Sequence, residues 1–274
     1  MNMEEKFLID LLDNSRLLTV LHDNLPVEIK KDQLYTDVTA YLEKYAAFNN
    51  ISPGEAVGIY TKFIVEFNKN CKQFAKSGKY PFEYGAASYT VSREEYDIVL
   101  LMSVLFSQHR FRIIQVLSRE NAAGKGLFIG LGPGLELTLT KTYLTETTAY
   151  DLSVNKFLFS EFPDCSIHTE LYTGQKQDHF DAIYLVELLE HLENPYSLLE
   201  VCYRSLKKGG KIFLTTATDI PQFDHLYNFP ADHTGFEKKV SALGFSVVYK
   251  EMIPHNYLTM DIRPCNHFYI LERC

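Results

Sequence analysis

Residues 126–134 read Gly-Leu-Phe-Ile-Gly-Leu-Gly-Pro-Gly. A short apolar run of this kind is typical of a buried parallel strand, and the glycines at alternate positions predict a tight turn after it. Glycine accepts positive φ and lets a ligand approach the backbone. In open parallel sheets, such a strand-to-helix turn binds nucleotide-like ligands. The stretch therefore predicts an α/β protein with a nucleotide-like ligand at this turn.

The spacing of the glycines separates two kinds of nucleotide site. A dinucleotide fingerprint, G-x-G-x-x-G, starting at Gly130 would need glycine at position 135, which is Leu135. The spacing here is G-x-G-x-G. Asp151 follows about 20 residues later, where a second strand should end, and a carboxylate there can accept hydrogen bonds from both hydroxyls of a ribose. The alternative is a structural turn in another kind of α/β protein.

Two further segments carry a family resemblance. Residues 180–195 read Phe-Asp-Ala-Ile-Tyr-Leu-Val-Glu-Leu-Leu-Glu-His-Leu-Glu-Asn-Pro, and residues 206–214 read Leu-Lys-Lys-Gly-Gly-Lys-Ile-Phe-Leu. Together with the glycine turn and Asp151, they resemble, in order and spacing, four motifs of class I S-adenosylmethionine-dependent methyltransferases. The resemblance extends from Gly126 to the C-terminus. It implies S-adenosyl-L-methionine as cofactor and an α/β fold: a doubly wound, mostly parallel seven-stranded sheet whose antiparallel last strand lies between the fifth and sixth.

The resemblance also implies which residues hold the cofactor. The three glycines of the turn would cradle its methionine part, Asp151 would hold the ribose and Leu152 would pack on the adenine. A polar contact to the adenine is expected at the end of the third strand, and the methionine half is expected beside the end of the fourth. The full expected set is Gly130, Gly132, Gly134, Asp151, Leu152, Glu170, Leu171, Val186 and Glu187.

One position departs from the family pattern. The family usually carries an acidic residue two positions before the first glycine, near the methionine end of the cofactor, and this chain has Phe128 there. Glu187 or Glu136 would have to compensate, or the affinity for the cofactor would suffer.

Histidines are the candidate catalytic residues. Methyl transfer from a sulfonium needs an aligned nucleophile and little water, and a general base only if the acceptor loses a proton. His191 follows the fourth strand, whose end faces the sulfonium in the family, although it would alternatively only support its loop. Plant-type O-methyltransferases carry a catalytic histidine after the fifth strand, where His225 and His233 are the nearest counterparts. We select His191 and His225.

A metal site is an alternative use of the same histidines. Asp224-His225 and Asp232-His233 are adjacent pairs, and His255 and His267 follow. Histidine and carboxylate groups bind divalent metals with positions left open for a substrate, as some α-keto acid C-methyltransferases do. The spacing is not diagnostic, and isolated surface histidines are the alternative, so no residue is assigned to a metal.

Residues 1–120 are predicted to be mostly helical. Ser52 and Glu55 form a capping box, and a long helix is expected from Ser92 to Leu117. Thr234 and Glu237 predict a second capping box later in the chain. We predict a helical domain at 1–120 and a cofactor-binding domain at 121–274. Helical regions of this kind resemble those of small-molecule O- and C-methyltransferases, in which they form a dimer interface and a lid.

Composition limits the partners. The formal net charge is −8 and the chain has no long basic run, which disfavours nucleic acid as a partner. Five cysteines without a C-x-x-C pair are typical of a reduced cytoplasmic protein. There is no secretory signal and no run of about 18 apolar residues, so no membrane association is expected.

These observations favour a cytoplasmic methyltransferase of secondary metabolism that acts on a small-molecule acceptor. Aromatic residues make up 14% of the chain, which suits an acceptor that is aromatic or carboxylate-bearing, although core packing also uses aromatic residues. We expect a homodimer formed through the N-terminal helices. The alternatives are a metal-assisted α-keto acid C-methyltransferase, a protein or RNA methyltransferase, and a non-catalytic cofactor-binding module.

Overall fold

Helices fill the first part of the chain in the computed structural model, which describes residues 3–84, 91–120, 122–255 and 263–274. Most of these helices bury an apolar stripe against their neighbours. In chain order they are α1 Met3–Asp13, α2 Arg16–Asp23, α3 Val27–Lys30, α4 Gln33–Phe48, α5 Pro53–Ser77, α6 Arg93–Phe106 and α7 Gln108–Arg119, with a 3-10 turn at Pro81–Tyr84. The predicted helical character of this region is confirmed.

Strands and helices follow α7. The elements are β1 Gly124–Ile129, α8 Leu135–Thr140, β2 Leu144–Tyr150, α9 Lys156–Glu161, β3 Ser166–His168, β4 Phe180–Leu185, α10 Pro195–Ser205, β5 Leu206–Thr218, α11 Thr234–Ala242, β6 Phe245–Pro254 and β7 Cys265–Arg273. Short 3-10 turns lie at Lys141–Tyr143 and Leu189–His191.

The seven strands form one sheet in the order β3-β2-β1-β4-β5-β7-β6. β7 runs antiparallel to both β5 and β6, whereas the other neighbouring strands are parallel. The predicted doubly wound sheet, with its last strand between the fifth and sixth, is confirmed. The strand order reverses between β1 and β4, and the crevice at the carboxyl ends of such strands is where open α/β sheets bind ligands.

The two faces of the sheet are covered by different helices. Leu127 and Ile129 of β1 share an apolar cluster with α10 and α11, whereas Phe128 faces the opposite side, as alternation along a strand requires. The cluster on the side of Phe128 reaches Leu11 of α1 and Phe268 of β7. The N-terminal helices therefore share a core with the sheet. The division at 120 and 121 stays a prediction, and residue 121 lies outside the described residues.

The predicted helix from Ser92 to Leu117 is wrong in its length. Ser92 caps α6 and Glu95 completes the capping box, as Ser52 and Glu55 do for α5. The helix stops before Ser107, whose backbone is extended with φ −135° and ψ 128°. α7 begins directly after this break, and Arg110 in its first turn places its Nη1 2.8 Å from Oε2 of Glu187. A tertiary ion pair accompanies a bend that no glycine or proline marks.

The second predicted capping box is also wrong. Thr234 is the first residue of α11 and His233 is its N-cap, without a capping hydrogen bond from its side chain. The carboxylate of Asp232 accepts the backbone N–H of Thr234 at 2.9 Å instead. Glu237 pairs with Lys250 at 2.5 Å on β6. An acid two residues before Thr234 offers a stronger acceptor than its hydroxyl.

In the described part of the chain, no helix combines the length and apolarity that crossing a bilayer requires.

Candidate active site

The glycine turn follows β1 at the carboxyl edge of the sheet. Gly130, Gly132 and Gly134 have φ of 74°, 54° and 81°, a left-handed backbone that residues with a Cβ rarely adopt. A Cβ on Gly134 would lie 2.7 Å from Leu158, so this glycine is needed for packing. Among the described residues, a Cβ on Gly132 would meet only Leu100, at 3.6 Å. The turn is therefore open at Gly132, where a ligand can approach the backbone.

Asp151 follows β2 and holds the glycine turn in place. Its Oδ2 accepts the backbone N–H of Gly132 at 3.2 Å, and its Oδ1 accepts that of Ser153 at 3.0 Å. Arg93 of α6 reaches the same place, since its Nη1 donates to Asp151 at 3.3 Å and its Nη2 to the Gly132 carbonyl at 2.6 Å. The turn, the carboxylate and α6 thus form one hydrogen-bonded unit.

Arg93 was not among the residues predicted from the sequence. This residue is the first of α6, where the positive end of the helix dipole disfavours a cation. Asp97, one turn later and fully buried, pairs with Arg93 at 2.9 Å. Burial raises the pKa of Asp97 to about 6, although the Arg93 guanidinium opposes the shift. An arginine at the first position of a capped helix was the available signal, because it needs anionic partners.

Glu187 lies just beyond β4 in a strained conformation. Its φ is 51°, which is uncommon for a residue with a Cβ. Its carboxylate pairs with Arg110 at 2.8 Å and accepts a hydrogen bond from Asn266 at 2.8 Å. Burial raises the pKa of Glu187, but Arg110 and the Thr215 hydroxyl outweigh it and hold the pKa below its ordinary value. Glu187 is therefore a half-buried anion in the wall of the site.

Phe128 belongs to an aromatic ladder across the sheet. It stacks on Tyr184 of β4 with ring centres 4.5 Å apart, and Tyr184 stacks on Phe213 of β5 at 4.9 Å. Phe128 is 2% exposed, so an acid at this position would be buried among rings. The two proposed substitutes, Glu136 and Glu187, both line the cavity beside the glycine turn. Phe128 therefore packs in the core of the protein, and the carboxylates of Glu136 and Glu187 lie in the cavity wall.

A cavity of about 640 Å³ lies between the carboxyl edge of the sheet and helices α2, α5, α6 and α7. Five of the predicted cofactor residues line it: Gly130, Gly132, Asp151, Val186 and Glu187. Its far wall is apolar and aromatic. There Tyr60, Phe63 and Phe67 of α5 stack in series, with ring centres 6.4 and 6.1 Å apart. One cavity therefore joins the predicted cofactor site to an apolar compartment under the N-terminal helices.

Both predicted catalytic histidines line this cavity, together with Glu190. The rings of His191 and His225 meet edge to face, 4.8 Å apart. His225 Nδ1 lies 2.8 Å from the Ile220 carbonyl, so it carries the proton and Nε2 is the unprotonated nitrogen of the neutral ring. Burial lowers the pKa of His225 to about 4. Glu190 was not among the residues predicted from the sequence, although it directly precedes His191.

The remaining predicted cofactor residues do not line the cavity. Gly134 is used in packing, as described above. Leu152 and Leu171 are 69% and 64% exposed, and Glu170 is exposed as well. They follow β2 and β3 near the edge of the sheet. Apart from Gly134, the structure therefore brings together the residues predicted for the methionine and ribose parts, and it leaves those predicted for the adenine at the surface.

The four histidines considered for a metal are divided between two places. His225 lines the cavity, and His255 lines it too, stacked on His109 at 3.5 Å. His233 and His267 contact each other at 3.5 Å, and His233 Nδ1 lies 3.0 Å from the hydroxyl of Tyr269. Among the described residues, no three of the four approach one another as metal ligands would.

Comparison with known proteins identifies the family. A family model described as a methyltransferase domain matches residues 106–242, half of the chain. The ubiquinone biosynthesis O-methyltransferase of Xanthomonas oryzae pv. oryzae (strain PXO99A) is 29% identical over 120 residues, which are 40% of this chain and 50% of that protein. The enzyme of the same description from Pseudomonas putida (strain W619) is 36% identical over 56 residues, 20% of this chain and 24% of that protein. The chain thus spans a quarter to a half of these relatives.

Solved structures share the fold at low identity. The cyclase SpnF has a TM-score of 0.50 and 12% identity, over 61% of this chain and 82% of that chain. A Bacillus halodurans C-125 protein described provisionally as a methyltransferase has a TM-score of 0.50 and 13% identity, over 60% of this chain and 97% of that chain. These likenesses show the fold alone, whereas the family match extends from the end of α6 through the glycine turn to α11. The chain belongs to the class I methyltransferases, enzymes that use S-adenosyl-L-methionine as cofactor.

Proposed function

We propose that this enzyme transfers a methyl group to a small-molecule acceptor bound in the cavity, and that the acceptor has an apolar or aromatic body. The observation that carries the proposal is the continuity of the cavity. It runs from Gly132 and Asp151 to the aromatic series on α5. Cavities of this size accommodate small organic ligands with mostly apolar walls and a few polar groups.

The residues around the glycine turn suit the cofactor. Gly132 leaves its backbone open on the cavity side, and Asp151 offers carboxylate oxygens to the ribose hydroxyls. Glu136 and Glu187 supply negative charge for the cationic methionine end, in place of the acid that Phe128 replaces. Leu152, Glu170 and Leu171 would receive the adenine at the edge of the sheet.

A bound cofactor would supply a methyl group on a sulfonium: the acceptor's lone pair would form a bond to the methyl carbon, and the electrons of the carbon–sulfur bond would pass to sulfur, which would leave as the thioether S-adenosylhomocysteine. The chain's own contribution is to orient the acceptor and exclude water. His225 presents an unprotonated Nε2 and lies against His191, so these two side chains are placed to take a proton from the acceptor. We therefore favour an acceptor whose reacting atom loses a proton, such as a phenol or an enol.

The polar groups of the cavity also bear on the acceptor. Arg110 is buried in the cavity wall and, in the described part of the chain, its Nε has no hydrogen-bond partner. A guanidinium binds a carboxylate through several N–H groups. This supports a carboxylate-bearing acceptor in addition to an aromatic one.

The test is methyl transfer from cofactor labelled in its methyl group. The tag-free enzyme is incubated with a cell extract separated into small molecules, protein and RNA, and with a panel of phenols and enols. We expect label in the small-molecule fraction. Label only in protein or RNA would contradict the small-molecule proposal and favour the alternative methyltransferase function.

Asp151→Asn, with Asp164→Asn as the matched control, tests the site itself. Asp164 is exposed and outside the cavity lining. Loss of a charge-assisted hydrogen bond should weaken binding of S-adenosylhomocysteine roughly tenfold or more. Equal affinities of the two variants would contradict the role given to Asp151.

We propose a homodimer through the N-terminal helices as the form in solution. Ile9, Val27 and Phe48 are large apolar side chains on α1, α3 and α4 that are 41% to 53% exposed. An interface through these helices would cover these exposed apolar side chains. Sedimentation equilibrium should give twice the chain mass, and a monomer at every concentration would contradict the proposal.

A further inference from the structure

We propose that Glu190, His191 and His225 form a binding site for one divalent transition-metal ion at the acceptor end of the cavity. The location of the acceptor next to this site rests on the proposed function, whereas the metal site itself does not. Each of the three side chains offers one ligand atom, and these atoms all lie within 4.8 Å of one another. Two imidazoles and one carboxylate are a ligand set of zinc and of non-haem iron sites.

The two imidazoles are already oriented for an ion. His225 Nδ1 donates to the Ile220 carbonyl at 2.8 Å, which leaves Nε2 to bind. His191 Nδ1 lies 3.2 Å from the Asp224 carbonyl and 3.4 Å from the Asp224 carboxylate. Metal-binding histidines usually make such a bond from the nitrogen that does not bind the ion, because it fixes the tautomer and the ring.

Asp224 is itself held in place. Its carboxylate accepts the hydroxyl of Tyr96 at 3.0 Å and the amide of Gln222 at 2.9 Å. Carboxylates that support a ligating histidine are themselves hydrogen-bonded in metal sites. The cluster therefore has both an inner set of ligands and the outer partners that orient them.

Glu190 gives an independent reason to expect a cation. Its side chain is 1% exposed, and within the described ranges its Oε2 has no hydrogen-bond partner. A buried carboxylate oxygen without a partner is costly unless a charge or donor compensates it. The main chain also fixes Glu190, since its carbonyl accepts the backbone N–H groups of Leu226 and Tyr227 at 2.8 and 2.9 Å. The segment that carries His225 is thereby tied to Glu190.

The position of the cluster gives the ion a role. All three side chains line the cavity, so an ion held by them keeps open positions on the cavity side. An acceptor oxygen that binds there loses its proton more readily, because the cation stabilises the resulting anion. The released proton passes to solvent or buffer, and the histidine lone pairs hold the ion instead of accepting that proton. The class of acceptor is then an enol or phenol.

Metal binding is measured without cofactor or acceptor. Tag-free protein is treated with chelator, dialysed and titrated with Co²⁺, followed by visible absorption, and with Zn²⁺ and Mn²⁺ by calorimetry. We expect one ion per chain. Glu190→Gln, His191→Gln and His225→Gln should each weaken binding at least tenfold, and Asp224→Asn should weaken it about 10- to 100-fold.

Two variants serve as matched controls. Glu136→Gln removes a carboxylate from the same cavity, and His179→Gln removes a histidine outside it; neither belongs to the cluster. Both should bind one ion with unchanged affinity. Circular dichroism and thermal unfolding establish that each variant is folded.

The outcomes separate the metal site from the methyltransferase function. A wild-type protein that binds S-adenosylhomocysteine but none of the three ions overturns the metal site and leaves the two histidines as bases. Ion binding that the three cluster variants leave unchanged also overturns it. Ion binding without any methyl transfer retains the site and contradicts the proposed acceptor instead.

Discussion

At the scale of residues, Phe128 shows how a local departure from a family pattern is explained by packing. It stacks on Tyr184 and is almost fully buried. Its identity could be read from the sequence, but its ring partners could not, because they come from neighbouring strands whose register depends on the whole sheet. The same holds for the pairs that Arg93 forms with Asp151 and Arg110 forms with Glu187, since these anionic partners are distant in sequence.

We predict that restoring an acid at Phe128 harms the protein. Phe128→Asp would place a carboxylate among aromatic rings, whereas Phe128→Leu keeps the site apolar. The aspartate variant should lose several kcal/mol of unfolding free energy and the leucine variant about 1–2 kcal/mol. Urea unfolding measures both. Tighter binding of S-adenosylhomocysteine by Phe128→Asp at unchanged stability would show that the ladder does not determine this position.

Arg93 and Asp97 should be coupled energetically. Arg93→Gln leaves the fully buried Asp97 without its cation, and breaking a buried pair in this way costs about 3–5 kcal/mol. Adding Asp97→Asn removes the unpaired charge and should recover part of that loss. Chemical unfolding of the two single variants and the double variant gives the coupling.

Lys44→Gln is the control for this cycle. Lys44 is 59% exposed in its pair with Glu161, so its loss should cost less than about 1 kcal/mol. Purely additive effects of Arg93→Gln and Asp97→Asn would refute the coupling.

At the scale of elements, the strands were predictable and one helix was not. The apolar runs and turn motifs identified the sheet, because buried parallel strands leave a strong local pattern. The helix predicted from Ser92 to Leu117 continues its apolar stripe through Ser107, so its break left no local mark. The capping boxes at Ser52 and Ser92 follow the three-residue spacing of the motif, whereas the same spacing at Thr234 and Glu237 gives no box because Asp232 accepts the backbone N–H of Thr234.

The aromatic series on α5 should determine how well the acceptor binds. Phe63→Ala removes a ring from the apolar wall, whereas Val65→Ala changes a residue of the same helix that is 62% exposed and not in the cavity lining. Loss of apolar contact should lower kcat/KM for the acceptor roughly 10- to 100-fold. The affinity for S-adenosylhomocysteine should stay the same.

Steady-state kinetics with the acceptor identified by labelling makes this comparison. Equal values of kcat/KM for Phe63→Ala and Val65→Ala would separate the apolar compartment from acceptor binding.

At the scale of the whole molecule, the sequence predicted the sheet and cofactor more fully than the cavity. An apolar stripe on a helix indicates that the helix is buried but not which surface it meets. The compartment under α2, α5 and α6 depends on how those helices pack against the sheet. The acceptor is therefore less predictable than the cofactor, whose residues lie in contiguous motifs.

The protein should lose stability in mild acid. His233, His255 and His267 each have a pKa of about 4, chiefly because burial disfavours their charged form. Histidines in the unfolded chain have pKa values near 6.5. Between about pH 4 and pH 6.5, the unfolded chain therefore binds more protons than the folded chain does. The contribution of these histidines to the free energy of unfolding is fully present above about pH 6.5. It falls as the pH drops toward 4, by at most about 1.4 kcal/mol per pH unit for each histidine.

Urea unfolding at pH 7.5, 6.0 and 5.0 measures this loss. His267→Gln should reduce the slope, because it removes one of the two histidines that face each other beside Lys250, Glu237 and Tyr269. Equal stability at pH 7.5 and 5.0 would contradict the assignment of these histidines as neutral in the folded protein.

The central claim is that the glycine turn and Asp151 form the cofactor end of the cavity. A calorimetric titration of the wild-type protein and of Gly132→Val with S-adenosylhomocysteine tests it most directly, because a valine side chain would enter the open space at Gly132. We expect one site per chain in the wild-type protein and no measurable binding in the variant, with both proteins folded. No binding to the wild-type protein, or equal binding to both, would contradict the account.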